Sequence, residues 1–277
     1  MTDDRVSRRR VLKGSVALAA TSLAGCLGGS DGPFSNPVIQ DTTVSGRSLV
    51  VTLQSDHSVS TLNVIGPSGS QFRSASVATG ATSVEVPLFD YQRGWYYEPG
   101  EHELVAVSDD EEVASTTVEL EPELTVTDVQ QYTEGRSTTT NRANLLVTVE
   151  NTGTGPTWVY HVGYRDALYP SANNIPTNEY ARSNPLQNLE EPESASEVVL
   201  APDESTELVG MQPPLLLPSE AECGDLTVDM TVIVSSGVGP NGQEPVQATL
   251  GGELYGGFPE TCRDIQIDSL EGTETDE

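Results

Sequence analysis

Lysine is nearly missing from this chain: Lys13 is the only one in 277 residues, so positive charge beyond the first few turns rests on arginine alone. The acylating Ser-x-x-Lys arrangement therefore cannot be built. There is no basic stripe to neutralise phosphates, which argues against nucleic acid as a partner. No apolar run approaches the roughly 20 residues of a membrane-spanning helix; the candidate, Val16 to Leu23, is short and diluted with Ala, Ser and Thr. From Val38 onward no stretch of useful length carries a helical period, and no Asn-x-Ser/Thr sequon occurs. Cysteine is scarce, with only Cys26, Cys223 and Cys262.

Acid is what the chain has in excess: 42 Asp+Glu against 13 Lys+Arg. Five of the basic residues (Arg5, Arg8, Arg9, Arg10, Lys13) and two of the acidic ones (Asp3, Asp4) fall in the first 25 positions, leaving 8 basic and 40 acidic residues after them, a formal net charge of −32. Self-repulsion of that size opposes a compact state at ordinary ionic strength. In molar salt the Debye length shrinks to roughly 3 Å and the repulsion is screened. The same charge disfavours docking on an anionic lipid surface.

The N-terminal segment has a basic start, a weak apolar stretch and small residues before a cleavage point, the features of a secretory signal rather than a membrane helix. Its Ser7-Arg8-Arg9-Arg10-Val11-Leu12-Lys13 resembles the twin-arginine export signal, with Arg8 and Arg9 as the paired arginines and Val11 where Phe is usual. Leu23-Ala24-Gly25-Cys26 resembles a lipobox, which implies that Cys26 is lipidated and becomes the first residue of the mature chain. Stable anchoring takes two acyl chains. With the acid excess and missing lysine, these motifs resemble a haloarchaeal, twin-arginine-exported cell-surface lipoprotein. The implied location is the extracellular face of the cell membrane. If Cys26 carries lipid, Cys223 and Cys262 remain as a disulfide pair in an oxidising compartment. The alternative is two buried thiols. Closing a loop of about 40 residues stabilises by roughly 4 kcal/mol in the chain-entropy account.

The expected organisation is all-β. Residues 1–25 form the signal, and 26–37 are the lipidated cysteine and a Gly/Ser tether. A first β-sandwich spans 38–121, a second spans 122–268 with a long loop at 165–198, and 269–277 is an acidic tail. In the first, Leu49–Leu53, Thr61–Ile65, Ser83–Leu88, Leu104–Val107 and Val113–Leu120 read as short strands between turn signals, with Asp109 to Glu112 as a hairpin tip. Such density of short strands suits an antiparallel sandwich. Residues 97–107, a Pro-Gly turn feeding a strand, resemble the penultimate strand of immunoglobulin-like surface modules. Glu121-Pro122-Glu123 reads as the joint. Beyond it, Leu124–Val129, Leu145–Asn151, Trp158–Tyr164, Leu226–Val234 and Val246–Leu254 are strand candidates, with Gly237–Pro245 as a hairpin loop and Asp229 turned to solvent or an edge. The Val147-Thr148-Val149-Glu150-Asn151-Thr152-Gly153 phrase resembles adhesion-type immunoglobulin-like repeats of archaeal and bacterial surfaces. The expected fold is two tandem immunoglobulin-like antiparallel β-sandwiches, although the halves show no alignable repeat.

Reactive constellations are missing. His57, His102 and His161 each lack a second ligand at metal spacing, and His102-Glu103 is not followed by the second histidine of H-E-x-x-H. A copper site would need a free cysteine beside two histidines. Ser68 misses the G-x-S-x-G register. Asp109-Asp110-Glu111-Glu112 supplies hard oxygen donors but not the spacing of a calcium loop. The expectation is a non-enzymatic protein with no cofactor and no metal. One cluster has the composition of a binding patch: Tyr91, Arg93, Trp95, Tyr96 and Tyr97, beside Phe89, since Tyr, Trp and Arg dominate interaction hot spots. It would take a glycan or a protein partner; its alternative use is to cap the open end of the first core. The resulting reading is a lipid-anchored surface protein in an interaction or envelope role. The competing reading is an accessory solute- or glycan-binding lipoprotein subunit of a membrane complex.

Overall fold

The computed structural model describes residues 38–91, 93–133, 138–175, 186, 199–218, 221–224, 226–257 and 259–269. All of them belong to one compact unit, Asn36–Glu277. The twin-arginine motif, Cys26, the tether, most of the 176–198 stretch and the end of the acidic tail lie outside the described residues.

Alternation of apolar and polar side chains sets the first half. In β2 (Ser48–Leu53) Leu49, Val51 and Leu53 are buried, and in β5 (Ser83–Pro87) Val84 and Val86 are, as period-two strands with one covered face require. These two with β1 (Ile39–Ser45) form a sheet in the order β1-β2-β5. It faces a sheet of order β4-β3-β8-β9, made of β3 (Thr61–Ile65), β4 (Gln71–Ser76), β8 (Gly100–Ser108) and β9 (Glu111–Leu120). A two-strand hairpin, β6 (Phe89–Asp90) and β7 (Trp95–Tyr96), stands apart. The expected four-residue acidic tip is shorter than the sequence reading placed it. Ser108 pairs with Glu111, so only Asp109 and Asp110 turn, both with positive φ (50° and 66°) as a tight primed hairpin turn needs.

The second half repeats that strand order and adds one strand. β10 (Leu124–Gln131), β11 (Leu145–Asn151) and β14 (Ser205–Val209) make one sheet, β10-β11-β14. Opposite lie β12 (Thr157–Arg165), β13 (Val199–Leu200), β15 (Leu226–Ser236), β16 (Gly242–Tyr255) and β17 (Thr261–Ser269) in the order β13-β12-β15-β16-β17. The fold is therefore two tandem immunoglobulin-like antiparallel sandwiches. A short helix α1 (Thr139–Arg142) and a 3-10 turn at Pro170–Asn173 complete the elements. The expected hairpin loop at 237–245 shortens, because β16 already begins at Gly242. The long loop is not featureless either: Arg165 still belongs to β12, the 3-10 turn follows, and Leu186 bridges to Gly210.

Asp229, on a strand otherwise built for the core, is exposed and accepts a hydrogen bond from Gln247 Nε2 at 2.7 Å. Cys223 and Cys262 are disulfide-bonded, with Cα atoms 5.7 Å apart at a sequence separation of 39. The bond ties the segment before β15 to the start of β17. Alongside it, Leu217 N donates to Glu260 O at 2.9 Å and Thr261 Oγ1 to Leu215 O at 2.8 Å.

Candidate functional site

The aromatic cluster is built on the β6–β7 hairpin. Arg93 N and Gly94 N donate to Asp90 O at 3.1 and 2.8 Å, closing a turn in which Gly94 has φ +71°. Phe89 pairs with Tyr96 and Asp90 with Trp95. Opposed residues share a face and neighbours along a strand take opposite ones, so the pleat divides the patch expected from sequence into two.

One face turns to the second sandwich. Trp158 of β12, 2% exposed, has ring centroids 4.8 Å from Phe89, 6.1 Å from Tyr91 and 6.0 Å from Tyr96. Phe89, Tyr91 and Tyr97 share one apolar cluster with Trp158, Tyr160, Val199 and Val238. Tyr97 is fully buried and its hydroxyl donates to Pro156 O at 2.9 Å. Burial above all, and then the charge of Glu121, pushes this phenol above its ordinary range. Gly155 is required here: a Cβ would lie 2.3 Å from the Tyr97 oxygen. Tyr91 and Tyr97 are thus spent within the chain, on the joint between sandwiches, and are not part of an open patch. Tyr96 keeps half its surface exposed at the rim.

The other face carries Trp95, Asp90 and Arg93. Arg93 Nε lies 3.6 Å from Asp90 Oδ2, with most of the arginine in solvent. Across from them Arg73 lays its guanidinium 3.5 Å from the centroid of the Trp95 ring and 5.5 Å from that of Phe72. Phe72 and Trp95 are 6.4 Å apart and tilted by 59°. Adjacent strand residues ordinarily point opposite ways. Here Val64 pairs with Arg73 and Ile65 with Gln71, leaving Phe72 as an extra, bulged residue. The bulge lets Phe72 and Arg73 reach the same aromatic ring. Arg73 and Phe72 were not legible as site residues, since they sit on an edge strand about 20 positions from the aromatic run.

The joint is held by Asn151, the asparagine of the adhesion-like phrase. Its side-chain oxygen accepts from Glu123 N and Gly153 N, both at 3.2 Å, and its amide donates to Gly155 O at 2.9 Å and Leu200 O at 3.0 Å. Thr154 N donates to Glu121 O at 2.7 Å, Thr152 N to Glu123 O at 2.8 Å, and Glu121 N to Thr154 Oγ1 at 3.0 Å. Glu121-Pro122-Glu123 is therefore clamped as an added strand-like segment.

The histidines stand apart. His57 accepts from Val59 N at 3.0 Å through Nδ1 and lies 2.6 Å from Ala81 O through Nε2. His102 Nδ1 is 2.9 Å from Gly100 O, and burial lowers its pKa. Among the described residues no three His, Cys, Asp or Glu side chains converge to hold a metal. Cys223 is consumed by the disulfide and offers no thiolate. Ser68 lies in the exposed turn at 66–69.

His161 is buried on β12 and burial pushes its pKa down to about 4. The unfolded chain then binds more protons between that value and the ordinary one near 6.5. Stability from the neutral imidazole is full above about pH 6.5 and is lost as pH falls toward 4. Urea titrations of the wild type and His161→Gln should show the wild type losing about 2–3 kcal/mol relative to the variant between pH 7.5 and 4.5. A constant difference across that range would refute it.

No family model matches the chain, and no curated protein matches it. Among solved structures, a two fibronectin type-III domain segment from chicken tenascin overlays 77% of this chain and 96% of its own, at 18% identity and TM-score 0.25. A β-glucuronidase of glycoside hydrolase family 2 overlays 82% of this chain but 22% of its own, at 9% identity and TM-score 0.23. A family 2 glycosyl hydrolase from Bacteroides cellulosilyticus DSM 14838 overlays 73% of this chain and 24% of its own, at 14% identity and TM-score 0.21. The chain spans about a quarter or less of either hydrolase. The immunoglobulin-like architecture rests on the strand order itself.

Proposed function

We propose that this chain is a lipid-anchored protein of the extracellular face of the cell membrane, with a non-enzymatic interaction or envelope-structural role. The observation that carries the reading is the pairing of cysteines. Cys223 and Cys262 bond to each other, so the odd cysteine, Cys26, is left in the Leu-Ala-Gly-Cys sequence where a lipid would be attached. Disulfides persist in oxidising compartments outside the cytosol, in keeping with the twin-arginine segment at Arg8 and Arg9. The acid excess and missing lysine support a haloarchaeal, high-salt setting, in which the charge on the sandwiches is screened.

The test is intact-mass and peptide mass spectrometry of the membrane fraction, with detergent phase partitioning of the wild type and Cys26→Ser. The wild type is expected in the detergent phase, beginning at a lipid-modified Cys26, and the variant in the aqueous phase. Replacing both Arg8 and Arg9 by lysine should retain the precursor inside the cell. An uncleaved, unmodified N-terminus on membrane-associated protein would sink the anchor. The second reading, an accessory ligand-binding subunit, is favoured by one feature: the Arg73–Trp95 stack on the outward face of the hairpin.

A further inference from the structure

We infer that the Phe72–Arg73–Trp95–Arg93 face binds an acidic carbohydrate, a largely neutral sugar chain bearing isolated carboxylate or sulfate groups. The inference rests on the second, ligand-binding reading above and deepens it by naming the class of ligand.

Charge supplies the first argument. In a sequence with 42 acidic residues, Arg73 forms no ion pair with any other described residue. It rests instead on aromatic rings, and its Nε is buried without a hydrogen-bond partner. A guanidinium stacked on a ring has shed part of its hydration while keeping its terminal N–H groups, which fit a carboxylate or sulfate two-pronged. Arg93, two residues before Trp95, is 79% exposed along its side chain, so a second cation stands at the same edge. Asp90 offsets the charge of Arg93, and Arg73 is left without a carboxylate partner among the described residues.

The backbone supplies the second. The extra residue at Phe72 interrupts the β3–β4 ladder, and its effect is to bring Phe72 and Arg73 to Trp95 together. Bulges of this kind re-aim side chains near binding sites. Phe72 and Trp95, both half-buried and tilted by 59°, hold the guanidinium over both rings, 5.5 and 3.5 Å from their centroids.

The nature of the occupant follows from the rest of the surface. A polyanion such as nucleic acid, or a strongly acidic protein, would bring charge after charge into direct contact with a surface on which 40 acidic residues outnumber 8 basic ones, at distances where screening is weakest. A mostly neutral chain with isolated acidic units avoids that repulsion. Sugar rings also present flat C–H faces that lie against aromatic side chains. At molar salt long-range steering is screened, so affinity has to come from direct contact, which a stacked, pre-positioned arginine provides.

The experiment uses the mature, folded chain and three probes: a trisaccharide with one galacturonate between two neutral sugars, its neutral methyl ester, and a tripeptide with one central glutamate. Binding is followed by calorimetry and by tryptophan fluorescence, where Trp95 is the half-exposed reporter and Trp158 is buried. The trisaccharide is expected to bind and shift the emission, with the ester at least tenfold weaker and the peptide weaker still. Arg73→Gln should weaken the trisaccharide at least tenfold. Arg93→Gln, which changes only an exposed side chain, should weaken it several-fold with an unchanged melting temperature. Equal binding of acid and ester, tighter binding of the peptide, no binding at millimolar ligand, or full affinity in both variants would overturn the inference. Failure here leaves lipid on Cys26 untouched, and an unlipidated Cys26 would leave this result standing.

Discussion

Trp158→Ala should lower the stability of the folded unit by about 3–5 kcal/mol, the usual range for removing a buried Trp or Phe, and split its unfolding into two transitions. The ring is 2% exposed and meets Phe89, Tyr91 and Tyr96 of the first sandwich while its own backbone runs through the second. Aromatic pairs contribute about 0.5–1.5 kcal/mol beyond their buried area, so this one side chain holds a large share of the coupling between the halves. β12 is buried on both faces along Thr157–Tyr164: Val159, Val162 and Tyr164 enter the second core while Trp158 and Tyr160 join the first. Scanning calorimetry checks the claim. The wild type should melt as one cooperative unit, with calorimetric and van't Hoff enthalpies in agreement, and the variant as two. Gly237→Ala approaches the same contact from below, because a Cβ there would fall 1.9 Å from the Trp158 ring and must displace it. A variant that still melts once, within about 1 kcal/mol of wild type, would mean the sandwiches are coupled elsewhere; large-to-small changes at well-packed sites cost more than that.

What could be read from sequence follows how strictly a residue's surroundings repeat. Apolar residues at even positions from Val84 to Leu88 announce a half-covered strand, and all three, Val84, Val86 and Leu88, are buried. Three of the edge strands, β1, β4 and β17, are not legible: they are rich in Gln, Thr, Ser and Asp and bury few side chains, so no apolar alternation marks them. Repetition of one strand order in both halves also left no sequence repeat, since pairing is carried by the backbone and many apolar sets fill the same layers. The aromatic run from Phe89 to Tyr97 was visible, but its division was not. Which side chains face inward depends on a hairpin of only two pairs and on a bulge at Phe72, both long-range in origin.

Asn151→Ala should cost a further 3–5 kcal/mol, for a different reason. The asparagine is fully buried and all four of its side-chain hydrogen bonds go to backbone: Glu123 N, Gly153 N, Gly155 O and Leu200 O. Each buried backbone group left without a partner costs about 1–3 kcal/mol, and water cannot readily replace a side chain packed at 0% exposure. In the sequence, Asn151-Thr152-Gly153 is only the end of the phrase that resembles adhesion-type repeats. Its function is to read the chain 28 residues earlier, at Glu123, and 49 residues later, at Leu200. Asn151→Asp separates hydrogen bonding from volume. It keeps the acceptor oxygen but turns a second oxygen toward the two carbonyls, so ionisation is disfavoured and the folded-state pKa of the new carboxyl rises above about 3.9. The folded variant then holds its proton to higher pH than the unfolded chain, and its stability falls as pH rises through that raised value. Relative to wild type at each pH, Asn151→Asp should be worst near pH 8 and recover toward pH 4.5, while Asn151→Ala keeps a constant deficit. Denaturant midpoints for the three proteins across that range decide the matter: parallel curves for Asp and Ala would mean that packing, and not the donated hydrogen bonds, holds the joint.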